Sequence, residues 1–150
     1  MASGATQPNW IVAAPAAFDI VTCFYPEAQP QPDGSYKLRP ALVLNVFNDR
    51  ITGNAFLEVA YGTKNLKLTH PLAHLDLIIQ NAAHLHQFGL YRATRFNLAK
   101  DNILILPWTD EHFGCWSRHS SPILGSLTED YIRDFAYRMA LRQRQEQVDE

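Results

Sequence analysis

Lys37-Leu-Arg-Pro-Ala-Leu-Val-Leu-Asn-Val-Phe47 reads as a β-strand. Its Ala41 to Leu44 run is continuously apolar, as expected of a strand buried on both faces. Pro40 forces Arg39 away from helical backbone and towards extended geometry. An arginine is thereby held at the mouth of a core strand. Before it, Tyr25 to Ser35 holds three prolines and Asp33-Gly34, the composition of a loop with a tight turn. Before that loop, Phe18-Asp-Ile-Val-Thr-Cys-Phe24 is rich in β-formers and reads as another strand.

After the central strand, Asn48-Asp49 and Gly53 mark a hairpin, and Asn54 to Tyr61 is a strand ended by Gly62. Leu75 to Ile79 is a short strand, and Asn81 to Phe88 a helical turn or a loop. Gly89 to Leu98 reads as a strand carrying basic residues, Asn102 to Leu106 as a strand stopped by Pro107, and Pro122 to Gly125 as a last strand or bridge. The period then changes. Ser126-Leu-Thr-Glu129 has the form of a capping box with Ser126 as N-cap. Tyr131, Ile132, Phe135 and Met139, with Leu141 or the stem of Arg142, line one helical face. Arg138, Arg142 and Arg144 fall towards the helix C-terminus, where the dipole favours cations. Short strands followed by one helix predict a mainly β, β-dominated α+β domain. Residues 1–14 read as a flexible arm in which Trp10, Ile11 and Val12 can pack locally. Residues 15–142 read as one domain and 143–150 as a polar tail.

The 150 residues suit one domain, and 47% hydrophobic content suffices for a sizeable core. The formal net charge of −2 excludes a whole-molecule basic field. A nucleic-acid surface would therefore be a local patch. Cys23 and Cys115 form no CxxC pattern and read as reduced, intracellular thiols. Without a signal-peptide pattern or an apolar run of membrane-spanning length, the expectation is a cytoplasmic protein with no membrane contact.

Two motifs carry candidate chemistry. The guanidinium of Arg39 is a permanently charged fork of donors suited to a phosphate, with Lys37 beside it; the plainer alternative is a surface arginine flanking a strand. Gly62-Thr63-Lys64-Asn65 puts a hydroxyl, an ammonium and an amide after a glycine that permits close backbone approach; the plainer alternative is a polar turn. Antiparallel neighbours running from Arg39 and into Thr63 would bring both to one rim. Arg92-Ala-Thr-Arg95, with Tyr91 and Phe96 interleaved, is a third candidate for that rim. Charge for phosphates and rings for bases is the combination single-stranded nucleic acid requires. His70, His74, His84 and His86 share one segment with Asp76 close by, and read as solvated loop histidines rather than a metal site. Asp110-Glu111-His112 reads as the start of a short helix capped by Asp110.

These segments together resemble the MazF/PemK family of toxins. Lys37-Leu-Arg-Pro-Ala-Leu-Val-Leu44 resembles its Arg-Pro-Ala-Leu-Val signature, and Phe18-Asp-Ile-Val21 its opening strand, with Phe18 in place of a glycine. Val59-Ala-Tyr-Gly-Thr63 resembles the strand that ends in its threonine. Gly89-Leu90, Arg95-Phe-Asn-Leu98, Leu106-Pro-Trp108 and Phe113 resemble a branch with a longer middle section, and Gly125-Ser-Leu127 with the helix resembles the closing element. The resemblance covers Phe18 to Leu141. It implies an SH3-like twisted barrel of about five to seven strands with a C-terminal helix, acting as a homodimer. The implied activity is metal-independent, cofactor-free cleavage of single-stranded RNA, in which the 2′-OH attacks the adjacent phosphate and leaves a cyclic phosphate. Arg39 would stabilise the phosphorane, with protonation of the leaving oxygen as a second role, and Thr63 would hydrogen-bond the phosphate. Lys37, Lys64, Asn65, Arg92 and Arg95 would bind RNA. An antitoxin protein would fill the RNA groove. Some family members place an acidic base in the strand that here reads Leu90 to Arg95, which holds none; the four histidines remain open for that role. Two other readings compete: a catalytically weak or inactive relative that only binds RNA or protein, and an SH3-like module that binds a peptide through exposed aromatics.

Overall fold

The structure, a computed structural model, describes residues 8–24, 32, 37–66 and 72–149. Most of the proline-rich loop and His70 lie outside the described residues. Among the described residues, seven strands form one antiparallel sheet: β1 (Asp19–Phe24), β2 (Leu38–Asn48), β3 (Ala55–Thr63), β4 (Asp76–Ile79), β5 (Thr94–Asn97), β6 (Ile103–Pro107) and β7 (Ile123–Ser126). The described residues also form the α-helices α1 (Ala82–Gln87) and α2 (Glu129–Asp149). The strand order is β4-β5-β3-β2-β1-β7, with β6 also on β3. One edge of β3 pairs β6 through Phe56 to Ala60, then β5 through Gly62 and Thr63. The sheet divides there and curls. The fold is the mainly β domain with a terminal helix that the strand pattern predicts, and its curled sheet is the barrel-like form that the resemblance implies.

Alternation along β1 and β2 feeds two cores, as the apolar run of β2 requires. Ile20, Leu42 and Leu44 join Ala60, Phe88, Phe96 and Leu98 on one face. Val21, Cys23, Ala41 and Val43 join Val59, Trp108 and Phe113 on the other. Each fully buried side chain of this size contributes about 1.5–3 kcal/mol. The first core is closed by α2, whose Tyr131, Ile132, Phe135, Met139 and Leu141 pack on it at the predicted spacing. Beyond Leu44, β2 emerges into a hairpin. There Asp49 Oδ1 accepts from the amides of Ile51 and Thr52, and Gly53 adopts φ 75°.

Several expectations need correction. Ser126 is not the N-cap of α2. It is a β7 residue paired with Asp19, and its hydroxyl donates to the Asp19 carboxylate. The carbonyl of Thr128 accepts the first helical bonds, from Tyr131 and Ile132. The helix continues to Asp149 through residues expected to be a tail, because His74 bonds Gln145 and Lys100 pairs with Glu146. Arg138 and Arg142 are consequently mid-helix. They donate to the carbonyls of His74 and Leu98, tying α2 to the sheet rather than answering its dipole. Asp110 starts no helix. Its carboxylate clamps the amide and side chain of Asn9, beside the bridge of Trp10 to Thr109.

The strand expected over Gly89 to Leu98 shortens to Thr94–Asn97. A Schellman motif at the end of α1 is the cause. Leu90 N–H bonds Leu85 O, Gly89 N–H bonds His86 O, and Gly89 takes φ 70°. The chain then bends through Tyr91 and Arg92, where the Thr94 hydroxyl donates to Arg92 O at 2.8 Å. β3 runs one residue past Gly62, and Pro107 lies inside β6 rather than beyond it.

Candidate functional site

Three neighbouring strands build the site. The β2–β3 pairing runs as far as Ala41 with Tyr61, so Arg39 and Thr63 each lie two residues past its last pair. Thr63 in turn pairs with Arg95 of β5. Directly paired residues share a face. Thr63 and Arg95 therefore share one face of β3 and β5, and Arg39 comes to them from the start of β2. They line one cavity of about 300 Å³, together with Tyr61, Gly62, Asn97 and Asn102.

A second cavity, of about 230 Å³, opens beside it and shares Arg39 and Gly62. Lys37, Lys64 and Arg92 line it, as do Leu38, Pro40, Leu90, Tyr91, Thr94 and Trp116. Gly62 is the common floor. A Cβ there would lie 2.9 Å from Pro40 O and 2.8 Å from the Phe96 ring, so the close approach of β2 to β3 excludes any side chain.

Cations crowd this rim. The Lys37 ammonium is pushed below its ordinary pKa by repulsion from Lys64, then from Arg39, by burial, and by Arg92. A protein of formal net charge −2 thus carries a local positive field, which an anion would relieve. Asn65 lines neither cavity. Its amide N–H donates to Thr63 Oγ1 at 3.2 Å. That bond occupies an acceptor position and leaves the threonine O–H able to donate to a phosphate oxygen.

Beneath Arg95, Asp76 is only 1% exposed. Its carboxylate accepts from Asn97 Nδ2 at 2.7 Å and pairs with Arg95 Nη1 at 3.7 Å. Asp76 therefore fixes two cavity residues from below. Asn102 is tied in from the other side, donating to Tyr61 O and Asn97 O.

The histidines lie elsewhere. His74 Nε2 bonds Gln145, and His84 Nδ1 bonds the Tyr131 hydroxyl at 2.5 Å, both on α2. His86 is exposed on α1. None of the three lines either cavity. Among the described residues no group of three or more His, Cys, Asp or Glu is arranged to hold a metal ion.

All the candidate residues except Asn65 thus border the paired cavities. The sequence reading missed Trp116 and Asn102, which reach the cavities through tertiary contacts, and Asn97, which shares a face of β5 with Arg95; His119 lines neither cavity but bonds Tyr91 at the edge of the smaller one. No protein-family model and no curated protein matches the chain.

Proposed function

We propose that this chain is a metal-independent endoribonuclease that cuts single-stranded RNA as the toxin of a toxin–antitoxin pair. The observation that carries this reading is the common cavity of Arg39 and Thr63, set within the cations Lys37, Lys64, Arg92 and Arg95. The resemblance to MazF/PemK toxins supplies the reaction. The 2′-oxygen bonds to the adjacent phosphorus, the bond to the 5′-oxygen breaks, and a 2′,3′-cyclic phosphate forms. The 2′-hydroxyl proton passes to solvent water, and the leaving 5′-oxygen takes one up from water. Arg39 stabilises charge on the phosphorane and Thr63 donates to a non-bridging oxygen. Removing one such preorganised donor commonly costs about 3–4 kcal/mol of barrier.

The donor set agrees with chemistry led by cations of the protein. The described lining offers guanidinium, ammonium and amide groups, whereas Mg²⁺ is held through carboxylates. On this reading the protein works in the cytoplasm as a homodimer, and an antitoxin segment occupies the cavities in place of RNA. No described helix is long and apolar enough to cross a membrane.

One observation favours a second reading, an RNA-binding module without cleavage. No described lining residue is a carboxylate or an imidazole that could take the 2′-hydroxyl proton. Incubation with mixed single-stranded RNA in EDTA separates the two. The first reading expects cyclic-phosphate products from wild type and loss of most activity in Arg39→Ala and Thr63→Ala. Binding without any cleavage would leave the second reading, and equal cleavage by all three proteins would remove the site.

A further inference from the structure

Tyr91, Trp116 and His119 form an aromatic cluster at the edge of the smaller cavity. The Tyr91 and Trp116 rings are 4.8 Å apart at 41°. His119 stands edge-on to Tyr91 at 5.9 Å and 89°, and its Nε2 bonds the Tyr91 hydroxyl at 2.9 Å. Trp116 Nε1 donates to Leu38 O at 3.3 Å. The indole is thus pinned to the same strand opening that carries Arg39.

Three rings and two hydrogen bonds hold this cluster, yet Tyr91 is 66% exposed. A ring fixed along one side and open on the other is a stacking surface. Leu38, Pro40 and Leu90 supply apolar walls, and Lys37, Lys64 and Arg92 the charged rim. The cavity falls below the ~300–1,000 Å³ of drug-sized sites, which suits a planar fragment rather than a whole large ligand.

We infer that this cavity is a base-binding subsite. It takes the nucleobase of a nucleotide attached to the phosphate held at Arg39 and Thr63, stacked on Tyr91. Arg39 and Gly62 border both cavities, so a base in one is continuous with a phosphate in the other. An acidic peptide would use the cations and leave the rings idle; a proline-rich peptide would do the reverse. A nucleotide uses both. The inference rests on the RNA reading above and adds where the base sits.

The test is binding of two labelled probes. One is a short 2′-O-methylated RNA of mixed sequence, which lacks the attacking hydroxyl. The other is the same backbone without bases. Tyr91→Ala should weaken binding of the base-bearing probe at least fivefold and leave the abasic probe unchanged. Tyr91→Phe, which keeps the ring, should recover the lost affinity. Matched thermal melts control for folding, which the exposure of Tyr91 favours. Unchanged binding of both probes by Tyr91→Ala, or equal loss of both, overturns the subsite. If Arg39→Ala still weakens both probes in that case, the RNA reading survives alone. If wild type binds neither probe, both fall.

Discussion

Thr63 and Arg95 face each other as register partners across β3 and β5. Arg39, near the start of β2, borders the same cavity. One hydroxyl and two guanidinium groups thus line one cavity. All three residues belong to strands rather than loops, which suits preorganised recognition of an anion.

The cation cluster predicts a salt dependence. If three or four phosphates are neutralised, the logarithm of RNA affinity should fall against the logarithm of salt with a slope of about −2 to −3, from roughly −0.7 per contact on single strands. Lys64→Ala should reduce that slope by about 0.7. Fluorescence anisotropy titrations across a salt series measure both. A slope near zero would mean that the rim does not meet phosphates.

Gly62→Ala should destabilise the protein by about 1–3 kcal/mol, the cost of inserting a methyl group into a tight contact. Its Cβ would press on the backbone oxygen of Pro40 at 2.9 Å and on Thr94 Cγ2 at 2.9 Å. RNA affinity should fall too, because β2 and β3 must part where the cavities meet. Urea denaturation and the anisotropy assay read the two effects. A variant as stable as wild type would contradict the close approach.

Asp76→Ala should cost about 2–4 kcal/mol, since it strips a buried carboxylate from Arg95 and Asn97. The loss should be well above that of an exposed pair such as Arg133 with Asp130, for which less than about 1 kcal/mol is expected. Chemical denaturation of Asp76→Ala and Asp130→Ala makes the comparison. Equal small effects would show that Asp76 holds nothing in place.

Burial pushes the Cys23 thiol from 9.0 up to about 12, against a smaller opposing effect of a hydrogen bond with Tyr61. Cys115 is exposed. A thiol reagent at pH 8 should therefore modify one cysteine in the native protein and both after denaturation. Because the folded pKa is raised, the unfolded chain loses this proton first. Cys23 should thus subtract stability as pH rises from about 9 towards 12 and have no effect below that window. Cys23→Ala should flatten that part of the stability profile.

Much of this was legible in the sequence. The unbroken Ala41 to Leu44 run announced a strand buried on both faces, and the helical spacing of Tyr131, Ile132, Phe135 and Met139 announced the packed face of α2. Arg39 and Thr63 were legible as strand-end residues because antiparallel neighbours must bring such ends together. Ser126 misled because a capping-box spelling also fits a strand residue whose hydroxyl finds Asp19 across the sheet. The polar stretch after Leu141 carries no apolar period, so only its bonds to His74 and Lys100 reveal a helix. Trp116 and His119 lie in a loop without period or motif. Their place beside Tyr91 depends on how the chain returns after Phe113, which no local pattern encodes.

The most direct test is a double-mutant cycle on single-turnover RNA cleavage with wild type, Arg39→Ala, Thr63→Ala and the double variant. Two groups gripping one phosphodiester should be coupled: the double variant should lose much less than the product of the two single losses. Losses that simply multiply would mean that Arg39 and Thr63 act on separate parts of the substrate, contrary to a shared phosphate.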